Sequence, residues 1–124
     1  MNLLDVNLLV ALIWKDAEGH ETARRWLAGK KPAVCPITEL GFLRVSMSPA
    51  FNASMEDARA ALGDFIKDET PQFIPDDERA LAGKTAGGRA LLTDFYLANL
   101  AAKHSMKLAT LDAGIKHPAV AFVG

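Results

Sequence analysis

The first twelve residues, MNLLDVNLLVAL (1–12), hold the junction on which the fold turns. Leu3 and Leu4 are followed by a carboxylate, Asp5, then by Asn7, then by the unbroken apolar run Leu8 to Leu12. Residues 1–4 read as a short buried strand. Residues 6–15 read as a helix with Leu8, Leu9, Leu12 and Ile13 on one face. Asp5 stands where the two meet. It can be a turn residue, a helix cap or the first member of a functional site.

Working outward, GHETARRWLAG (19–29) predicts a second helix. Ala23, Trp26 and Leu27 take the i, i+3, i+4 spacing, and Gly29 supplies the stop. PAVCPI (32–37) reads as a strand, and after Thr38 comes a helix carrying Leu40, Leu43 and Val45 that Pro49 ends. Ser54 and Asp57 open a helix over 55–67, expected to bury Met55, Ala58, Leu62, Phe65 and Ile66. QFIP (72–75) reads as a strand, DDERALAG (76–83) as a short helix and TAGGRALL (85–92) as a loop. Thr93 to His104 reads as a helix with Leu97, Leu100 and Ala101 inward. KLATL (107–111) and AVAFV (119–123) are the last strands, with a turn at Asp112 to Gly114 and room for a short helix before the final strand.

Strands joined through helices need crossovers, so the expected sheet is mostly parallel. Its strands are continuous apolar runs, as a sheet covered on both faces requires. The fold class is α/β: a three-layer sandwich with helices on both faces of a central sheet, in one domain spanning 1–124.

Composition fits that reading. Half of the 124 residues are hydrophobic and 23% are charged, which excludes a disordered chain. A single cysteine, Cys35, allows no internal disulfide and suits a reducing compartment. The first segment lacks the basic start of a signal peptide, and no apolar run reaches the length of a membrane span. A soluble, cytoplasmic protein with no membrane partner is expected. The net charge of −1 withholds the basic excess of a free-standing nucleic-acid binder. Any such binding must be local, through residues such as Arg24, Arg25, Lys30, Lys31, Arg44, Lys84, Arg89, Lys103 and Lys107.

The acids carry the chemistry. Asp5 follows strand one, Glu39 follows strand two, Asp112 follows KLATL, and Asp94 opens a helix after Leu91-Leu92-Thr93. In an open α/β sheet, ligands bind beyond the carboxyl ends of the strands. Each acid alone is explained by the preference of carboxylates for helix N-termini. Together they are not. Two carboxylates about 5 Å apart repel by on the order of 3 kcal/mol at an effective dielectric near 20. Either some of them take up protons or a cation sits among them. A donor set of carboxylate oxygens selects Mg²⁺ or Mn²⁺ over zinc. A water-rich site of that kind points to phosphate esters.

Four pieces in register resemble the PIN-domain ribonucleases and, within them, the VapC toxins of VapBC toxin–antitoxin pairs. They are LLDVNLLVAL, GHETARRWL, CPITELGFLRV and TDFYLANLAAKHSMKLATLDAG. The resemblance implies that Asp5, Glu39, Asp94 and Asp112 form an acidic quartet that holds Mg²⁺ or Mn²⁺ and cleaves RNA phosphodiesters. Asp5 and Asp94 are then the expected direct metal ligands, with Glu39 and Asp112 completing the shell through water or helping to activate the nucleophile. Asn7 matches a polar residue that supports the first acid, and Thr110 matches a small hydroxyl near the metal. His20 and Trp26 match the second-helix pattern, in roles of helix initiation and packing. The resemblance also implies a homodimer and a VapB-type antitoxin, one of whose arginines pairs with the carboxylates in place of metal. The antitoxin groove is expected on the second and third helices, near Trp14, Trp26 and Phe42. RNA recognition is expected to depend on loops 46–54 and 83–92.

Other motifs fail on inspection. GKT (83–85) lacks the glycine of a phosphate-binding loop five residues earlier, where Glu78 stands. HETAR (20–24) has Arg24 where a zinc protease needs its second histidine. Two rivals remain: a receiver-type Mg²⁺-binding signalling domain and a catalytically inactive PIN-like binding module. The first needs adjacent acids after strand one, whereas Asp5 stands alone; the second is disfavoured by the intact quartet.

Overall fold

The protein was analysed as a computed structural model that describes residues 1–83 and 88–124. The chain runs β1 (Asn2–Leu4), α1 (Val6–Ile13), α2 (His20–Leu27), β2 (Pro32–Val34), α3 (Pro36–Ser46), α4 (Met55–Glu69) and β3 (Gln72–Phe73). A 3-10 turn (Arg89–Leu91) then leads into α5 (Leu92–Lys103), followed by β4 (Lys107–Thr110) and β5 (Val120–Phe122). The five strands form one parallel sheet in the order β3-β2-β1-β4-β5. That order sets aside the receiver-type reading, whose doubly wound sheet runs 2-1-3-4-5.

The strand pleat explains the layers. Successive side chains point to opposite faces, and here both faces are apolar. Leu4, Val34 and Ala109 join one core with Leu8, Leu9 and Leu12 of α1, Phe42 of α3, and Leu62 and Phe65 of α4. Leu3, Ala33 and Leu108 join the other core with Leu97, Ala98, Leu100 and Ala101 of α5. Helices therefore cover both faces. Fully burying one leucine contributes about 1.5–3 kcal/mol, and α1 buries every residue from Leu8 to Leu12. That helix is the hub of the larger core.

Several expected boundaries move for local reasons. Strand two stops at Val34, because Pro36 takes the first helical position, where its missing N–H costs nothing. Thr38 closes that helix start: its hydroxyl accepts from Cys35 N–H at 3.1 Å and reaches the Cys35 carbonyl at 3.0 Å. The helix expected over DDERALAG is absent. The stretch is instead tied to α5 along an irregular path, with Tyr96 Oη donating to Glu78 O and Asn99 Nδ2 to Ala82 O. Leu81 consequently stands out in solvent. No helix precedes β5 either; Pro118 and a turn occupy that stretch. Met55 and Ile66, expected inside, lie at the edge of α4 and are exposed. Phe42 is fully buried and stacked on Trp14, so it cannot line an open groove. Of the expected 85–92 loop, residues 85–87 lie outside the described residues, as does Lys84 with the rest of the GKT motif after Gly83.

One close approach positions the site. A Cβ placed on Gly41 of α3 would run into Val6 Cγ2 and lie 3.2 Å from Val6 Cγ1. Val6 is also the residue whose N–H holds the Asp5 carboxylate, at 2.8 Å. The bare Gly41 thus fixes how closely α3 seats on the start of α1. Gly41→Ala should lower stability by about 1–3 kcal/mol in urea unfolding, the usual cost of overpacking. Adding Val6→Ala to the same chain should recover most of that loss. A Gly41→Ala protein with the midpoint of the parent would show that the two helices have slack here.

Candidate active site

Asp5 is the N-cap of α1 and is only 4% exposed. Its main-chain N–H binds Ala109 O of β4 at 2.9 Å, which locks it to the neighbouring strand. One carboxylate oxygen accepts from Val6 N–H at 2.8 Å. The other accepts from the Thr110 hydroxyl at 2.7 Å. A hydroxyl has a single proton to give. Having given it to Asp5, Thr110 Oγ1 accepts from Asn7 Nδ2 at 3.2 Å and from Asp112 N–H at 3.1 Å. Asn7 then turns its oxygen to Leu111 N–H, at 3.1 Å. Asp5, Asn7, Thr110 and the start of the Asp112 turn form one hydrogen-bonded unit across β1, α1 and β4.

Asp94 reaches the same place from the first turn of α5. Its pKa is pushed up from 3.8 to about 6, first by burial, then by the negative charges of Asp5 and Asp112. Asp5 is also raised, chiefly by burial. The Thr110 and Val6 hydrogen bonds oppose the shift, and Asp112 adds to it. Asp112 is exposed at the end of β4, where its Oδ1 accepts from Gly114 N–H at 2.7 Å. These three acids feel one another and make a common negative centre.

Glu39 is placed differently. It lies at the fourth position of α3, a full helical turn beyond the strand end. Burial raises its pKa, and the charge that adds to this is that of Asp76, not of Asp5, Asp94 or Asp112. Three of the four expected acids thus act on one another, while Glu39 feels the charge of Asp76. Asp76, three residues beyond β3, was not singled out in the sequence, where 76–83 reads as a helix.

His20 and Trp26 take the supporting parts expected of them. His20 Nδ1 donates to Ala11 O at 2.7 Å, tying α2 to α1. Trp26 lies half-buried with Lys30 Nζ 5.8 Å from its ring centre. Cys35 is wholly buried, and burial pushes its thiol up to about 11, which leaves it inert as a nucleophile.

Among the described residues no three histidine, cysteine or carboxylate side chains close into a ready cage. One or two such carboxylates could hold a hard divalent ion, with water in its remaining positions. The donors are oxygens, and the mutual repulsion of Asp5, Asp94 and Asp112 is what a dication would relieve.

Known proteins resemble this chain over nearly its whole length. The PIN domain family matches residues 3–121. Ribonuclease VapC38 of Mycobacterium tuberculosis is 36% identical over 123 residues, covering 93% of this chain and 87% of its own. Ribonuclease VapC29 of the same organism is 34% identical, covering 93% and 88%, and ribonuclease VapC39 is 33% identical, covering 96% and 94%. A toxin–antitoxin complex from Klebsiella pneumoniae contains a chain of the same fold, with a TM-score of 0.62 at 22% identity over 100% of this chain and 98% of that one.

The raised pKa of Asp94 has a consequence for stability. The folded protein holds this proton more tightly than the unfolded chain does. Asp94 therefore supports folding below the ordinary carboxylate range, and that support is lost as pH rises through about 6. In EDTA at pH 7.5, Asp94→Asn should melt about 3 °C above the parent, and the two should converge near pH 4. Millimolar Mn²⁺ at pH 7.5 should raise the parent's melting temperature more than the variant's. A gap that persists unchanged at pH 4 would show that charge is not its cause.

Proposed function

The chain belongs to the PIN-domain family and, within it, to the VapC ribonucleases, and from that premise we propose that it is a divalent-metal-dependent endoribonuclease. It acts as the toxin of a type II toxin–antitoxin pair. The observation that carries the reading is the convergence of Asp5, Asp94 and Asp112, from β1, α5 and β4, into one mutually repelling group beyond the strand ends.

In this reading Asp5 and Asp94 would hold the ion, Mg²⁺ or Mn²⁺, with Asp112 beside them, and Glu39, a helical turn further out, would add negative charge at longer range. The bound ion supplies positive charge for a phosphate and makes water a better nucleophile at neutral pH. The protein's own part is orientation. Thr110 and Val6 N–H fix both oxygens of Asp5. Asn7 fixes Thr110 and ties it to the β4 exit. Hydrolysis then adds a water oxygen to phosphorus and breaks one phosphorus–oxygen ester bond of the RNA. A catalytically inactive PIN-like module would keep the fold and lose the ion.

The partners follow from the same reading. A VapB-type antitoxin blocks the carboxylates with a basic side chain, because a fixed cation there relieves the same repulsion as a metal ion. In this reading the antitoxin groove is the apolar cleft between α3 and α4, lined by Leu40, Leu43, Leu62 and Ile66, in place of the face of the second and third helices expected from the sequence. A homodimer explains how a chain of net charge −1 binds RNA: two copies align their sparse basic side chains along one groove. The protein works in the cytoplasm, a reading supported by its lone, buried cysteine. No helix among the described residues is long and apolar enough to cross a membrane.

Cleavage of RNA should require Mn²⁺ or Mg²⁺ and stop in EDTA. Asp94→Asn should reduce it to background while leaving the circular dichroism spectrum intact. Thr110→Val, which keeps the shape but removes the proton that Asp5 accepts, should lower kcat by about 10- to 100-fold. Full activity of Asp94→Asn in the presence of Mn²⁺ would overturn the assignment of the centre.

A further inference from the structure

The carboxylate centre does not end at its acids. Asn7, Asp94 and Asp112 form one end of a trough of about 490 Å³ that continues along an apolar wall. Val6 and Val10 of α1, Val45 of α3, Leu111 and Phe51 supply that wall. Glu18 is the other charged residue in it, and no lysine or arginine lines it among the described residues.

Phe51 is held in place by its own loop. The Ser48 hydroxyl donates to Val45 O at 2.6 Å, and Phe51 N–H and Asn52 N–H both donate to Ser48 O, at 3.1 and 2.7 Å. Asn52 takes a left-handed turn at φ 52°, and Ala53 N–H returns to Ser46 O at 2.9 Å. The ring is packed on the larger core yet half open to the trough. It is a rigid aromatic surface built before any ligand arrives.

We propose that this trough is a nucleobase subsite, in which a base flanking the scissile phosphate stacks on Phe51. The inference rests on the ribonuclease reading above and specifies its substrate contact. If the phosphate sits at the carboxylates, the nucleoside bonded to it lies within one sugar of the trough. That end of the RNA has two parts. The sugar–phosphate chain is anionic and has no partner beside Glu18, Asp94 and Asp112. The base is flat, uncharged and apolar on its faces, which matches a wall of valines, a leucine and one aromatic ring. Glu18 at the rim offers oxygens only, so it favours bases that present an amino or imino N–H. The subsite therefore confers base preference at one position beside the cut.

The test is cleavage of a pool of RNA hairpins with randomised loops, in Mn²⁺, with the cut sites sequenced. The parent should show a base preference at one nucleotide adjacent to the cut. Phe51→Ala should flatten that preference, leave those at other positions in place, and lower kcat/KM by about tenfold or more, the usual effect of losing one base–aromatic stack. Phe51→Trp should restore both, which a purely structural role would not predict. For an RNA carrying an abasic residue at the preferred position, parent and Phe51→Ala should be cut at equal rates. An unchanged preference in Phe51→Ala, with a parental melting temperature, overturns the subsite. So does a Phe51→Ala defect of the same size on abasic and intact RNA. A variant that cuts normally but is no longer inhibited by its antitoxin assigns the trough to a protein partner instead. Absence of metal-dependent cleavage by the parent itself would remove the ribonuclease reading, a failure distinct from these.

Discussion

A carboxylate that is 4% exposed must be solvated by the protein, and the placement of Asp5 governs the rest of the site. Burial works against its charge, and nearby Asp112 does too. Two donors work for it, one from the helix it caps and one from Thr110 on the adjacent strand. The two cannot be arranged independently. The helix donor requires α1 to begin at Val6, and the strand donor requires β1 and β4 to pair with Leu4 opposite Ala109. A one-residue slip between those strands would turn Thr110 to the other face of the sheet. The geometry of the carboxylate site and the sheet register are therefore the same constraint.

The order of strands then decides which acids meet. β1 lies at the centre with β2 on one side and β4 on the other. Neighbouring strands are about 4.8 Å apart, so residues leaving β1 and β4 are held close, and α5 delivers Asp94 beside them. The other half of the sheet edge is different. Glu39 is lifted away from its strand end by the first turn of α3, and Asp76 leaves the outermost strand β3. Glu39 feels the charge of Asp76 there. The acid rim is thus a tight trio and a looser pair, although every member follows from the same rule about strand ends.

Much of this was legible in the chain. The alternation of short apolar runs with helical periods gave a parallel sheet covered on both faces, because strands buried on two sides carry no polar residues to confuse the pattern. Asp5 was recognisable as a polar residue at a strand end where packing alone would place an apolar one, whereas Asn7 and Thr110 were legible through the family resemblance. The illegible parts depend on contacts distant in sequence. The stretch 76–83 has the composition of a short helix, yet Tyr96 and Asn99 tie it to α5 along an irregular path, and nothing local announces them. The partition of Glu39 from the trio likewise depends on where Pro36 starts α3, a matter of one turn. Phe51 lies in the 46–54 loop expected to matter for RNA recognition, but nothing in the chain singled it out within that loop. It sits in a loop whose shape is set by Ser48 and by the left-handed backbone at Asn52.

The trough and the acids also explain each other's composition. A site for RNA ordinarily advertises itself by positive charge, and this cavity has none in its described lining. Lysine or arginine beside Asp5 and Asp94 would neutralise the carboxylates directly and leave no net attraction for a dication. Keeping basic groups out preserves the negative centre, and in the proposed function an ion drawn to it would carry the charge that faces phosphate. With charge supplied in that way, the remaining wall is free to be apolar. The same separation suits a basic antitoxin side chain. It would be drawn to the carboxylates for the reason a metal is, and would leave the apolar wall to the RNA base.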